Sequence, residues 1–172
     1  MVEPVWFRRC LGGACLVAAL AGGGAAAAQP EPGAAASGPF AAFAGEWVGG
    51  GTIAGSNGTR ERIRCRASET ESFSGVGLSQ SIVCASASYR LDIQSEVEAH
   101  GRNVSGAWSE QTRGASGELT GTVAPGRFDG AVTGQNFTAE VSLRSNGRRQ
   151  TVRIVPRGAD ISDVNIELQR RD

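Results

Sequence analysis

The chain has 172 residues, with 17 basic and 17 acidic side chains, 25 glycines and 6% aromatic residues. That length fits one domain, and a net charge near zero excludes a strongly electrostatic nucleic-acid binder. Every basic residue is arginine, and histidine occurs once, so little is available for metal or haem chemistry. No metal and no cofactor is expected.

Residues 1–28 read as a signal peptide. Arg8 and Arg9 precede an uncharged run from Cys10 to Ala28, which ends in Ala26-Ala27-Ala28 before Gln29. This is the charged, apolar and small-residue order of an export signal. The run is long enough for a membrane anchor, but Gly22-Gly23-Gly24 and the alanine-only end favour cleavage near Ala28 and leave no transmembrane span after processing. Processing leaves 15 arginines against 16 acids, and one cysteine pair, Cys65 and Cys84. An even pair in an exported chain predicts a disulfide, with two free buried thiols as the alternative. Residues 29–43, rich in Pro, Ala and Gly at their start, are expected to form a flexible segment before a folded domain over 44–172.

The domain opens on Gly45-Glu-Trp47-Val-Gly-Gly-Gly51. Next come Arg60, Arg62, Arg64 and Arg66, alternating with Ile63, Cys65 and Ala67, so the arginines share one strand face. A two-residue turn at Asn57-Gly58 would put Trp47 on the arginine face. A three-residue turn that includes Ser56 would put it with Cys65 and Ala67, which is favoured. The arginines form either a solvated outer stripe or an anion site; they would line a cavity only in the other register.

From there turn chemistry recurs every 8–12 residues, with β-branched and alternating residues between and no helical stripe. A hairpin centred near Gly75 sets Cys65 opposite Cys84 and Ala67 opposite Ile82. A turn at Gly101-Arg102 pairs Ala99 with Val104 and Ser95 with Trp108. Turns at Arg113-Gly114, Pro125-Gly126, Gln135-Asn136 and Asn146-Gly147 pair Trp108 with Leu119, Gly121 with Gly130, Phe128 with Leu143, and Val141 with Val152. One apolar set then lies on one face, and a one-residue slip would scatter it. The last strand needs a bulge near Ser162-Asp163 to keep Val164, Ile166 and Leu168 inward. The expected fold is all-β, an up-and-down antiparallel meander of about ten strands with one disulfide. Closure into a barrel is favoured over a sandwich because it removes both open edges. The face opposite the apolar set is Ser, Thr, Glu and Arg, which argues against a transmembrane barrel.

The G-x-W start resembles that of the calycins (lipocalins, fatty-acid-binding proteins and avidins). The longer G-x-W-x-G-x-G over Gly45–Gly51, preceded by Phe40 and Phe43, is similar to the first strand of nitrobindin-like ten-stranded haem barrels. The resemblance implies a meander barrel, closed at one end by the Trp, with a hydrophobic ligand inside. It implies no haem here: those barrels use a histidine in their C-terminal half, whereas His100 is placed at a hairpin tip. The lipocalin arginine that packs on the Trp has several candidates in this chain and stays unassigned.

Gly106, Gly121 and Gly130 fall on the inward face of adjacent strands. They receive a large ring, with Trp47 the candidate, or permit tight barrel curvature, or else leave a cavity. In the last case Trp47, Trp108, Leu119, Phe128 and Val141 line it with the three glycines. No catalytic constellation is present: there is no G-x-S-x-G, no H-E-x-x-H and no C-x-x-C. The expected function is a periplasmic or secreted barrel, not an enzyme, that binds a small apolar or amphipathic ligand. The alternatives are a protein-binding module such as a protease inhibitor, acting through residues 29–43, and an envelope protein with no ligand.

Overall fold

The computed structural model describes residues 38–172 other than Phe73. The leader and residues 29–37 lie outside the described residues. Ten antiparallel strands run in sequence: β1 (Gly45–Gly55), β2 (Arg60–Glu71), β3 (Gly77–Ala85), β4 (Arg90–His100), β5 (Asn103–Glu110), β6 (Ala115–Ala124), β7 (Arg127–Gly134), β8 (Thr138–Ser145), β9 (Arg149–Arg157) and β10 (Ile161–Arg170). Each pairs with its neighbours in the chain, and β1 pairs with β10. The sheet is a closed barrel with no free edge.

The turns set which side chains enter it. Ser56, Asn57 and Gly58 make the first turn, closed by the Gly55 amide on the Thr59 carbonyl, with Gly58 at φ 86°. Asn57 Oδ1 accepts from the Thr59 amide and hydroxyl. This three-residue turn pairs Trp47 with Ala67 and places both inside. Arg60, Arg62, Arg64 and Arg66 are all exposed on the outer face. The pairings Cys65–Cys84, Ser95–Trp108, Gly121–Gly130 and Phe128–Leu143 occur as the turns predict. Ser162 is the extra residue opposite Ala54 and Gly55, and Val164, Ile166 and Leu168 stay buried.

Two registers differ from expectation. Trp108 faces Gly117, not Leu119. The loop there has four residues, Gln111 to Gly114, because the Glu110 carboxylate accepts the amides of Thr112 and Arg113 and shapes a wider turn. Val141 faces Ile154, not Val152. Asn146 Oδ1 accepts the amides of Arg148 and Arg149, so the chain reverses one residue later. Each change moves the pairing by two residues, and a two-residue shift keeps every side chain on its face.

Cys65 and Cys84 form a cross-strand disulfide in the wall, with Cα atoms 4.1 Å apart. Closing a loop of 19 residues stabilises the fold by about 3 kcal/mol on the chain-entropy view.

One end of the barrel is plugged. Pro39–Phe43 form a turn, closed by the Phe43 and Ala44 amides on the Phe40 carbonyl. Phe40, Phe43 and Trp47 are each 1% exposed. Trp47 Nε1 donates to the Phe43 carbonyl at 2.8 Å, and the Arg170 guanidinium lies 5.7 Å from the Trp47 ring centroid, within cation–π range. The last part of the expected flexible segment is therefore folded: two aromatic rings at i and i+3 bury more surface in the barrel end than a mobile chain would.

Two of the three inward glycines, Gly121 and Gly130, take a ring, and the ring is Phe128, not Trp47; a Cβ on Gly106 would meet the β4 backbone at the Glu96 carbonyl instead. A Cβ on Gly130 would lie 2.6 Å from Phe128 Cζ and 2.4 Å from the Thr120 carbonyl oxygen, and a Cβ on Gly121 would lie 2.8 Å from Phe128 Cε2. Gly130→Ala is expected to lower stability by about 1–3 kcal/mol through overpacking, measured by urea unfolding. A neutral result would contradict this placement of the ring.

Candidate functional site

The interior beyond the plug is not filled. A chamber of about 530 Å³ runs from mid-barrel to the end away from Phe40 and Phe43. It falls in the size range of small-molecule sites. Its wall includes Ile82, Leu91, Trp108, Leu119, Val132 and Val141. Ile93, Val141 and Ile154 point inward from their strands yet remain partly exposed, because the chamber leaves them without packing partners. A wider hollow on the outer face, along Ser68, Thr70, Ser79 and Ser109, is about 750 Å³ but lies open to solvent and is mostly hydroxyl-lined.

The mouth is built from the loops opposite the plug. Tyr89, Arg113, Phe137 and Asp160 stand around it. Phe137 packs edge-to-face on Trp108, with centroids 5.4 Å apart, and Trp108 Nε1 donates to the Thr133 carbonyl at 3.1 Å. Glu110 fixes the neighbouring loop, taking the amides of Asp92, Thr112 and Arg113 and the Thr112 hydroxyl. Burial opposes its charge, but these donors together outweigh burial and hold the carboxyl below the usual carboxylate range.

The floor is polar. Gln80 and Ser95 line both the chamber and a void of about 40 Å³ beneath it, against Phe40 and Phe43. Gln80 Nε2 donates to Glu69 Oε1, Gln150 Nε2 donates to the same oxygen at 2.8 Å, and Ser95 Oγ donates to Gln80 Oε1 at 3.4 Å. Glu69 is 3% exposed and Gln150 is fully buried. Glu69 Oε2 and Gln150 Oε1 have no hydrogen-bond partner. Burial pushes the Glu69 carboxyl up to about 7, against the two amide donors, which favour its charge.

Of the residues expected to line a cavity, Trp108, Leu119 and Val141 border the chamber. Phe128 borders only the small void with Leu119 and Val141. Trp47 lies in the plug, and Gly106, Gly121 and Gly130 border neither space. His100 is exposed at the β4–β5 turn, on the plug side. Among the described residues no group of three metal-ligating side chains converges, and no helix is long and apolar enough to cross a membrane. The floor was missed in the sequence although its signal was there: Glu69, Gln80, Ser95 and Gln150 all fall on inward positions of their strands.

No protein-family model and no curated protein sequence matches the chain. Solved structures do. Rv2717c from M. tuberculosis superposes with a TM-score of 0.63 at 12% identity, over 77% of this chain and 95% of that one. The S-type phycobiliprotein lyase CPES from Guillardia theta superposes with a TM-score of 0.54 at 12% identity, over 77% and 90%. These likenesses show the fold alone, a closed antiparallel barrel.

Glu69 makes stability depend on pH. The folded state binds this proton more tightly than the unfolded chain, whose carboxyl titrates near 4.5. The contribution is complete below about pH 4.5 and is lost as pH rises to about 7, a change on the order of 3 kcal/mol. Glu69→Gln, which keeps both amide donors satisfied, is expected to be more stable than the parent at pH 8 and about equal to it at pH 4.5. Chemical denaturation at the two pH values measures this; a difference independent of pH would contradict it.

Proposed function

We propose that the chain is an exported barrel that holds a small apolar or amphipathic ligand in the chamber, entering by the mouth between Tyr89, Phe137 and Asp160. The observation that carries this reading is the pairing of a plugged end with uncovered apolar side chains around about 530 Å³ at the other. Burying a ligand against that wall gains roughly 25 cal/mol per Å² of apolar surface. The fold shared with a protein named as a phycobiliprotein lyase supports it at the level of architecture. The buried positions of Phe40 and Phe43 disfavour the protease-inhibitor reading for that part of the segment, because two of its apolar residues are already spent on the plug.

Export to the periplasm or beyond is the reading of the charged and apolar leader. The Cys65–Cys84 disulfide fits it, since such bonds persist in oxidising compartments.

Titration with fatty acids, retinoids and haem is expected to change tryptophan emission for at least one class. The response should vanish in Trp108→Phe and survive in Trp47→Phe, because only Trp108 borders the chamber. No change with any class, or a response lost only in Trp47→Phe, would defeat the proposal. The intact mass of protein from the cell envelope is expected to correspond to a chain beginning near Gln29; a mass that includes Met1 would remove the reading of a cleaved leader.

A further inference from the structure

Resting on the chamber as a ligand site, we propose that its floor selects the ligand's polar group: a neutral head such as an alcohol is taken head-first against Gln80 and Ser95, and a carboxylate is refused there. The wall is apolar from Leu91 to Leu143, and Gln80 and Ser95 are the polar side chains at its deep end. One amide hydrogen of Gln80 is committed to Glu69, and the Ser95 hydroxyl is turned to the Gln80 carbonyl. What remains for a ligand is the second Gln80 amide hydrogen and the lone pairs of Ser95 Oγ. A hydroxyl group donates to one and accepts from the other.

An anionic head finds the opposite of what it needs. Behind the floor stands the Glu69 carboxyl, whose Oε2, like Gln150 Oε1, is buried without a hydrogen-bond partner. The cation bordering the chamber is Arg113, which stands at the mouth and donates to the Arg90 carbonyl. Arg170 is on the far side of the floor, over the Trp47 ring. A carboxylate carried to the floor would lose its water with no charge to replace it.

Decanol and decanoate, matched in chain length, test this by calorimetry on the processed protein at pH 8, with Trp108 emission as a second readout. Decanol is expected to bind about tenfold more tightly, the scale of a well-placed hydrogen bond. Ser95→Ala should weaken decanol several-fold and leave decanoate nearly unchanged. Glu69→Gln, which removes the charge and keeps the shape, should tighten decanoate and narrow the gap. Equal affinity for the two compounds, or decanol binding unmoved in Ser95→Ala, overturns the proposal and leaves the chamber as a ligand site. Binding of neither compound overturns this proposal too, and the chamber reading then rests on the retinoid and haem titrations.

Discussion

The barrel depends on one constraint: side-chain parity carried unbroken through nine turns and the seam between β1 and β10. In a strand, successive side chains alternate faces, so any turn that changed the pairing by one residue would reverse every later strand. The chain avoids this by two devices. Even-numbered loops, as at Gly101-Arg102 and Gln111–Gly114, keep parity directly. Odd corrections are local: the three-residue turn at Ser56–Gly58 and the bulge at Ser162 lie side by side at the β1 end of the seam, where Ser162 Oγ donates to the Ala54 and Gly55 carbonyls. Only with both in place do Trp47, Ala67 and Leu168 share one interior.

A barrel of this width cannot be filled evenly by its own residues, and the chain divides the space. Phe40, Phe43, Trp47 and Phe128 fill one end, and the glycines at 121 and 130 give Phe128 its seat. The other end is lined by aliphatic groups together with Trp108, Phe137 and Tyr89, which leave the lumen open between them. The polar layer of Glu69, Gln80, Ser95 and Gln150 separates the two. Burying Glu69, Ser95 and Gln150 there, with Gln80 half-buried beside them, is costly unless they satisfy one another, and they do so incompletely. A layer that serves only as packing would be more stable if apolar; a floor that selects what enters accounts for a polar one.

Much of this was legible in the sequence because period-2 alternation and turn residues are local signals. The Gly121–Gly130 and Phe128–Leu143 pairs follow from counting outward from Pro125-Gly126 and Gln135-Asn136. Counting failed at Arg113-Gly114 and Asn146-Gly147, where the Glu110 carboxylate and the Asn146 side chain widen or displace the turn. The three glycines could be placed inward, yet whether a ring or a void faced Gly121 and Gly130 depended on the Phe128 rotamer, which alternation does not encode. The arginine on Trp47 could not be chosen either. Arg170 holds that position because β10 pairs with β1 at Trp47, a contact between the two ends of the domain. Glu69 was hidden in a polar stretch, Ser68-Glu69-Thr70-Glu71, that reads as surface until inward parity is followed past Ala67.

The central claim is that the chamber beyond the plug receives a ligand. Diffraction from crystals grown with a terminally brominated decanol tests it most directly, since bromine is located by anomalous scattering without reference to any assumed pose. The account predicts bromine within the barrel toward the mouth, near Phe137 and Tyr89, with the hydroxyl at Ser95. An interior free of bromine, with Trp108 and Val132 closed across the lumen, would contradict it.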